Sequence, residues 1–136
     1  MSALDRQVAT WRDVALLIGR LLIAALFVVS AWQAFNGLAG ATGYFARLEV
    51  PAPDLVAPAV MVFEFAAGIL LVAGFQTRLM ALLLGAFTVM AALIGHMNFA
   101  DGNQLNHFLK NMAIVGGCLA VFVAGAGSYS VDFSRE

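Results

Sequence analysis

Four apolar stretches, each near the length that crosses a lipid bilayer as a helix, dominate this chain of 136 residues. They run from about Val14 to Phe35, Leu55 to Phe75, Leu79 to Met97 and Leu105 to Ala124. A hydrocarbon core of about 30 Å takes about 20 helical residues to cross. In lipid the backbone has to satisfy its own hydrogen bonds, and the alternation of barrel strands is not seen, so the four stretches are predicted as helices. The expected fold class is all-α, an integral membrane four-helix bundle, with residues 1–136 forming a single transmembrane domain. Composition points the same way. Only 11% of the residues are charged and the mean hydropathy is +0.92, against about 25% charged in a typical soluble domain. Too few polar side chains are present to cover a globule in water.

The formal net charge of −1 argues against a nucleic-acid partner. The single cysteine, Cys118, lies inside an apolar run, so no intramolecular disulfide or Cys-x-x-Cys relay forms within this chain. Met1 to Asp13 is polar, with Trp11 at its edge, where an amphipathic ring suits the interface. The first span is too long for the apolar region of a signal peptide and is read as retained. Asn36 to Asp54 is the one substantial loop, and Gly43 to Leu48 within it is expected to lie flat on the membrane or fold back over the bundle. Pro51 and Pro53 break any helix there and start the second span. Arg6, Arg12, Arg78 and Arg135 fall on the side of the termini, with only Arg47 in the opposite loops. The excess of basic residues predicts that both termini are cytoplasmic.

Ionisable groups inside a span cost about 2.5–3.5 kcal/mol on insertion scales, so they face the interior and find partners. This chain carries Arg20 in the first span, Glu64 in the second and Lys110 in the fourth, with Asn111 beside the last. Counted along the helices, Glu64 is expected between the two cations at comparable depth. His107, Lys110 and Asn111 fall at i, i+3 and i+4 and are predicted to share a face. His96 closes the third span. Two accounts of this polar cluster are open: an ion-pair network that fixes helix register, or the lining of a ligand or proton site. The two histidines invite metal or haem ligation, but no third ligand clusters with them, and hydrogen-bonded interface histidines are the favoured reading. No nucleophile elbow, phosphate loop or metalloprotease motif is present, so no catalytic residue is assigned.

The residues also resemble a known family. Gly19-Arg20-Leu21, Gly43-Tyr44-Phe45 with Pro51-Ala52-Pro53, and Glu64 followed by Gly68 are similar to the DoxX family of small bacterial membrane proteins. So are Gly74-Phe75-Gln76-Thr77-Arg78, His96, the run His107-Phe108-Leu109-Lys110-Asn111, and Asp132 in the tail. Ala67-Gly68 stands where the family pattern has paired glycines. The resemblance implies a four-helix bundle in the bacterial inner membrane. It further implies a link to quinone-dependent sulfur oxidation beside other subunits, to oxidative-stress complexes, or to phenolic and quinone-like compounds. Arg20, Glu64, His96, His107, Lys110 and Asn111 are the positions that match. The leading expectation is thus a non-catalytic subunit of a membrane redox process, binding a quinone-like or phenolic molecule near Glu64. Its partners would be lipid and another membrane subunit or a second copy of the chain. The alternatives are a scaffolding subunit without a ligand and, ranked third, a small proton-coupled transporter.

Overall fold

The computed structural model describes residues 1–135 and contains five α-helices: α1 (Ala3–Asn36), α2 (Leu38–Arg47), α3 (Pro53–Ala73), α4 (Thr77–Gly95) and α5 (Gly102–Ala124). A short 3-10 turn at Phe133–Arg135 closes the tail, and no strand occurs among the described residues. Helices α1, α3, α4 and α5 are each long and apolar enough to cross a membrane.

The first helix is 34 residues long, about 51 Å, and starts at Ala3 rather than near Val14. Its polar opening is helical because it is well capped. Ser2 accepts from the Asp5 amide at 3.1 Å, and the Asp5 carboxylate accepts in turn from the Ser2 amide at 2.7 Å. The loop expected between the first two spans also holds a helix. The glycines at 40 and 43 weaken its helical propensity, and packing on α3 compensates. Pro51 and Pro53 do mark the next start, since Pro53 is the first residue of α3.

The bundle is built as two pairs, α1 on α3 and α4 on α5. Gly68 sets the first pairing. A Cβ there would sit 2.8 Å from Val28 Cγ2, so only glycine allows this approach of the two helices. The second pairing brings Gly85 against Cys118, whose thiol packs as a small buried apolar group. The core between the pairs includes Ala24, Phe27, Leu71, Leu84 and Val121, with Phe87 set edge-on to Phe27.

The C-terminal tail does not trail into solvent. Its backbone continues the end of α3, with the Val131 and Asp132 amides donating to the carbonyls of Ala73 (3.1 Å) and Gly74 (2.9 Å). Asp132 then accepts from the amides of Gln76 (2.8 Å) and Thr77 (2.9 Å). Gln76 has a left-handed backbone and makes no side-chain cap of its own, so the tail supplies the N-terminal cap of α4. Burial works against ionisation of Asp132, but these amides and the nearby Arg135 charge outweigh it and hold the carboxyl below its usual range.

Candidate functional site

Arg20, Glu64 and Lys110 do not form the expected cluster. The only ion pair among the described residues joins the exposed neighbours Arg12 and Asp13. The reason is register. In the antiparallel α1–α3 pair, Gly68 lies against Ala24 and Val28, Glu64 is bonded to Ser30, and Gly74 lies over the Arg20 guanidinium. Arg20 and Ser30 are ten residues apart on one helix, which is about 15 Å along its axis. Depth counted along the helices misplaces Arg20, because α3 ends level with Arg20 and the tail packs against it.

Arg20 is fully buried and donates from Nη2 to the Tyr129 carbonyl at 2.6 Å. Gly74 makes room for it. A Cβ at that position would collide with both the guanidinium and Ser130, and its φ of +68° also suits glycine. Nε and Nη1 have no protein acceptor within bonding distance among the described residues. Arg20 is therefore a structural pin between the first helix and the tail. Around it Arg12 donates to the Ala124 carbonyl (3.0 Å) and Arg78 to the Val123 carbonyl (2.7 Å), so cations cover the free carbonyl end of α5.

Lys110 is exposed on α5. The inward face of that helix carries Asn111, Ile114, Cys118 and Val121, and Lys110 is turned about 100° from Asn111. A lysine about 12 Å from its helix start can carry its ammonium along the surface to the interface. His107, Lys110 and Asn111 thus part company: only Asn111 points inward. His107 stacks on His96, with ring centroids 5.0 Å apart and planes 23° apart. Stacked rings direct their in-plane nitrogens past one another, not toward one metal ion. Burial, and then the neighbouring His107, lower the His96 pKa below the usual histidine value.

What the structure does assemble is a cavity of about 590 Å³ with Glu64 in its wall. That volume lies within the roughly 300–1,000 Å³ of small-molecule sites. Glu64 is 8% exposed, and Ser30 Oγ donates to its Oε2 at 3.0 Å and reaches Oε1 at 3.2 Å. The remaining polar side chains lining the space are Tyr44, Thr88, His96 and Asn111. Thr88 satisfies itself by donating to the Leu84 carbonyl at 2.7 Å. Apolar side chains from α1, α2, α3 and α4, among them Phe27, Phe45, Met61 and Phe87, make up the rest. Helix α2 lies across the end away from the termini. There the Tyr44 hydroxyl rests against Gly95, where a Cβ would come within 2.7 Å of it.

Of the residues singled out in the sequence, the cavity gathers Glu64, Asn111 and His96 and leaves out Arg20, Lys110 and His107. Ser30 and Tyr44 were not assigned to the site. Pairing Gly68 with the middle of the first span would have found Ser30. For Tyr44 the signal was the Gly43-Tyr44-Phe45 run together with Gly95.

This arrangement is that of a multi-pass helical membrane protein with a largely apolar internal cavity and one carboxyl group at mid-span. The DoxX family model matches residues 15–97, and the chain belongs to that family. Its relatives include Escherichia coli (strain K12) inner membrane protein YqjF, 38% identical over 120 residues, covering 88% of this chain and 91% of that one. Inner membrane protein YphA of the same organism is 36% identical over 126 residues, covering 89% and 90%. No solved structure matches. The chain is an inner-membrane protein.

Proposed function

We propose that this DoxX-family protein binds a quinone-like or phenolic molecule in the cavity beside Glu64, as a non-catalytic subunit of a membrane redox process. The observation that carries the reading is a buried carboxyl, held by a single hydroxyl, facing an apolar space of ring size. A carboxyl accepts from a ligand hydroxyl when ionised and donates to a ligand carbonyl when protonated, so both redox forms of a quinone-like ring find a partner. Asn111 offers a second donor and acceptor on the facing helix. These groups bind and orient a ring, and the redox chemistry would belong to a partner.

The test is binding of a benzoquinone analogue to purified protein in lipid nanodiscs. The protonated carboxyl donates to a quinone carbonyl, and a neutral hydrogen bond contributes about 0.5–1.5 kcal/mol, so Glu64→Leu, which keeps no donor, is expected to weaken binding about 2- to 12-fold. Unchanged binding in the folded variant, or no binding to the native protein, removes the proposal.

A partner surface follows from a separate observation. Helix α5 is the least buried of the four spans, and Ala113, Gly116 and Ala120 are exposed along it. We propose that another membrane subunit, or a second copy, packs there through close helix contact. Cross-linking of Gly116→Cys in a Cys118→Ala background tests this: a product in native membranes is expected, and an uncross-linked chain refutes it. We also propose that both termini are cytoplasmic, as the gathering of Arg12, Arg78 and Arg135 around one cleft supports.

A further inference from the structure

One wall of the Glu64 cavity lies between α3 and α4. Val56, Val60, Phe87 and Met90 line the cavity from inside. The same four residues form the bed of a groove of about 450 Å³ on the outer surface, completed by Ala59, Phe63 and Ala86. Every side chain of that groove is apolar. The partition between cavity and groove is therefore one layer of side chains. None of the four is fully buried, and Met90, an unbranched and adaptable side chain, is 51% exposed. Two other sides of the cavity are held by specific contacts. Helices α1 and α3 are locked by the Gly68 contact, and α2 seals the end where Tyr44 rests on Gly95.

The height of the groove matters as much as its position. It runs beside residues 56–63 of α3 and 86–90 of α4, within helices that span the hydrocarbon core. Anything entering by this route comes from the lipid phase. The polar groups of the cavity, meanwhile, include Ser30, Glu64 and Asn111 from three different helices. A polar-edged head placed against them would have its remaining bulk directed at the apolar α3–α4 wall.

We infer that the bound molecule is an amphiphile, a polar-edged ring carrying an alkyl or isoprenyl tail, which enters from the bilayer between α3 and α4 and leaves its tail in the outer groove. The inference rests on the reading of the Glu64 cavity as a ligand site and adds to it a ligand class and an entry route. Val56, Val60, Phe87 and Met90 act as the portal, and a compact, tailless phenol uses only the inner space. The tail gains little by exchanging lipid for the groove, since the two are equally apolar. Its role is to fix how the head is presented, so blocking the groove excludes the tail sterically.

Ala59 and Ala86 allow a clean test because both line the groove, not the cavity, and both are exposed to lipid. Full-length protein in phosphatidylethanolamine–phosphatidylglycerol nanodiscs is titrated with dimethoxy-methyl-benzoquinone, with and without a decyl chain. Concentrations are expressed per lipid to remove partitioning. Ala59→Phe and Ala86→Phe are expected to weaken binding of the decyl compound by about tenfold or more, the size of an overpacking penalty, and to leave the tailless one unchanged. Ala59→Leu, a smaller step, should give a smaller loss in the same sense and guards against misfolding. If both compounds bind through Glu64 and the groove variants affect them alike, the tail and portal are wrong and the cavity reading stands. If neither binds the native protein, both fall.

Discussion

Removing the Asp132 carboxylate should loosen the end of the bundle where the tail docks, and Asp132→Ala measures by how much. The carboxylate accepts two amide bonds, from Gln76 and Thr77, at the positive end of α4. Loss of an N-terminal cap costs about 0.5–2 kcal/mol, and the charge at a helix start adds about 0.3–1 kcal/mol. The site is partly exposed, so water and salt recover part of this. A net loss of about 1–2 kcal/mol is expected, with Asp132→Asn nearer the lower end because one acceptor oxygen survives. The sign of the pH dependence is set by the depressed carboxyl. Its contribution is complete above the ordinary aspartate pKa and disappears as pH falls through the lower, folded-state value. Thermal unfolding in detergent, followed by tryptophan fluorescence at pH 7 and at pH 3, should show a gap between native and Asp132→Ala protein that closes in acid. Hydrogen exchange at the Gln76 and Thr77 amides should accelerate in the variant at neutral pH. Equal melting temperatures at pH 7, with unchanged exchange at those two amides, would refute the tail-as-cap argument.

Other perturbations follow from the same geometry. Gly68→Ala places a methyl within 2.8 Å of Val28 Cγ2 and should destabilise the α1–α3 pair by about 1–3 kcal/mol, read as a lower unfolding temperature; an unchanged value argues against close packing there. His96 has a lowered pKa, so the folded protein binds its proton less readily than the unfolded chain and stability should fall as pH drops below about 6.5. His107→Phe removes one of the two causes, and a pH-dependence of stability no flatter than native would contradict the stacked-pair account. Gly95→Ala should displace the Tyr44 hydroxyl and raise protease sensitivity at Arg47, with the four spans remaining intact. Equal cleavage rates would show that Tyr44 does not hold α2 in place.

The four spans were legible because lipid imposes one rule, that a long apolar stretch must be helical, and nothing in this chain competes with it. Helix α2 was not, since Gly37, Gly40 and Gly43 read as loop when only local propensity is weighed. Its helix depends on the surface of α3, which hydropathy does not describe. The start of α1 was missed for the opposite reason. Asp5, Arg6, Gln7 and Arg12 read as a polar leader, while the reciprocal Ser2–Asp5 cap makes them the first turns of the helix.

The site shows a sharper limit. That Glu64 faces inward followed from cost alone, because a carboxyl in hydrocarbon has to be turned toward the bundle. What it meets there depends on register, and register is set by small residues whose partners cannot be read from one chain. Gly68 against Val28 brings Ser30, not Arg20, to the carboxyl; Gly74 over Arg20 brings the tail, not Glu64, to the cation. Charge complementarity, the obvious guide for pairing buried ions, therefore pointed to the wrong contacts. The two ionisable groups are held apart by about 15 Å of helix and serve different ends of the protein. Arg20 is taken up by the tail carbonyl of Tyr129 as part of the scaffold. Glu64, left with one hydroxyl and an open apolar space, has hydrogen-bonding capacity that the protein does not use up. A purely structural carboxyl would be expected to spend it on a cation, and here Lys110 turns away although it stands beside the inward-facing Asn111.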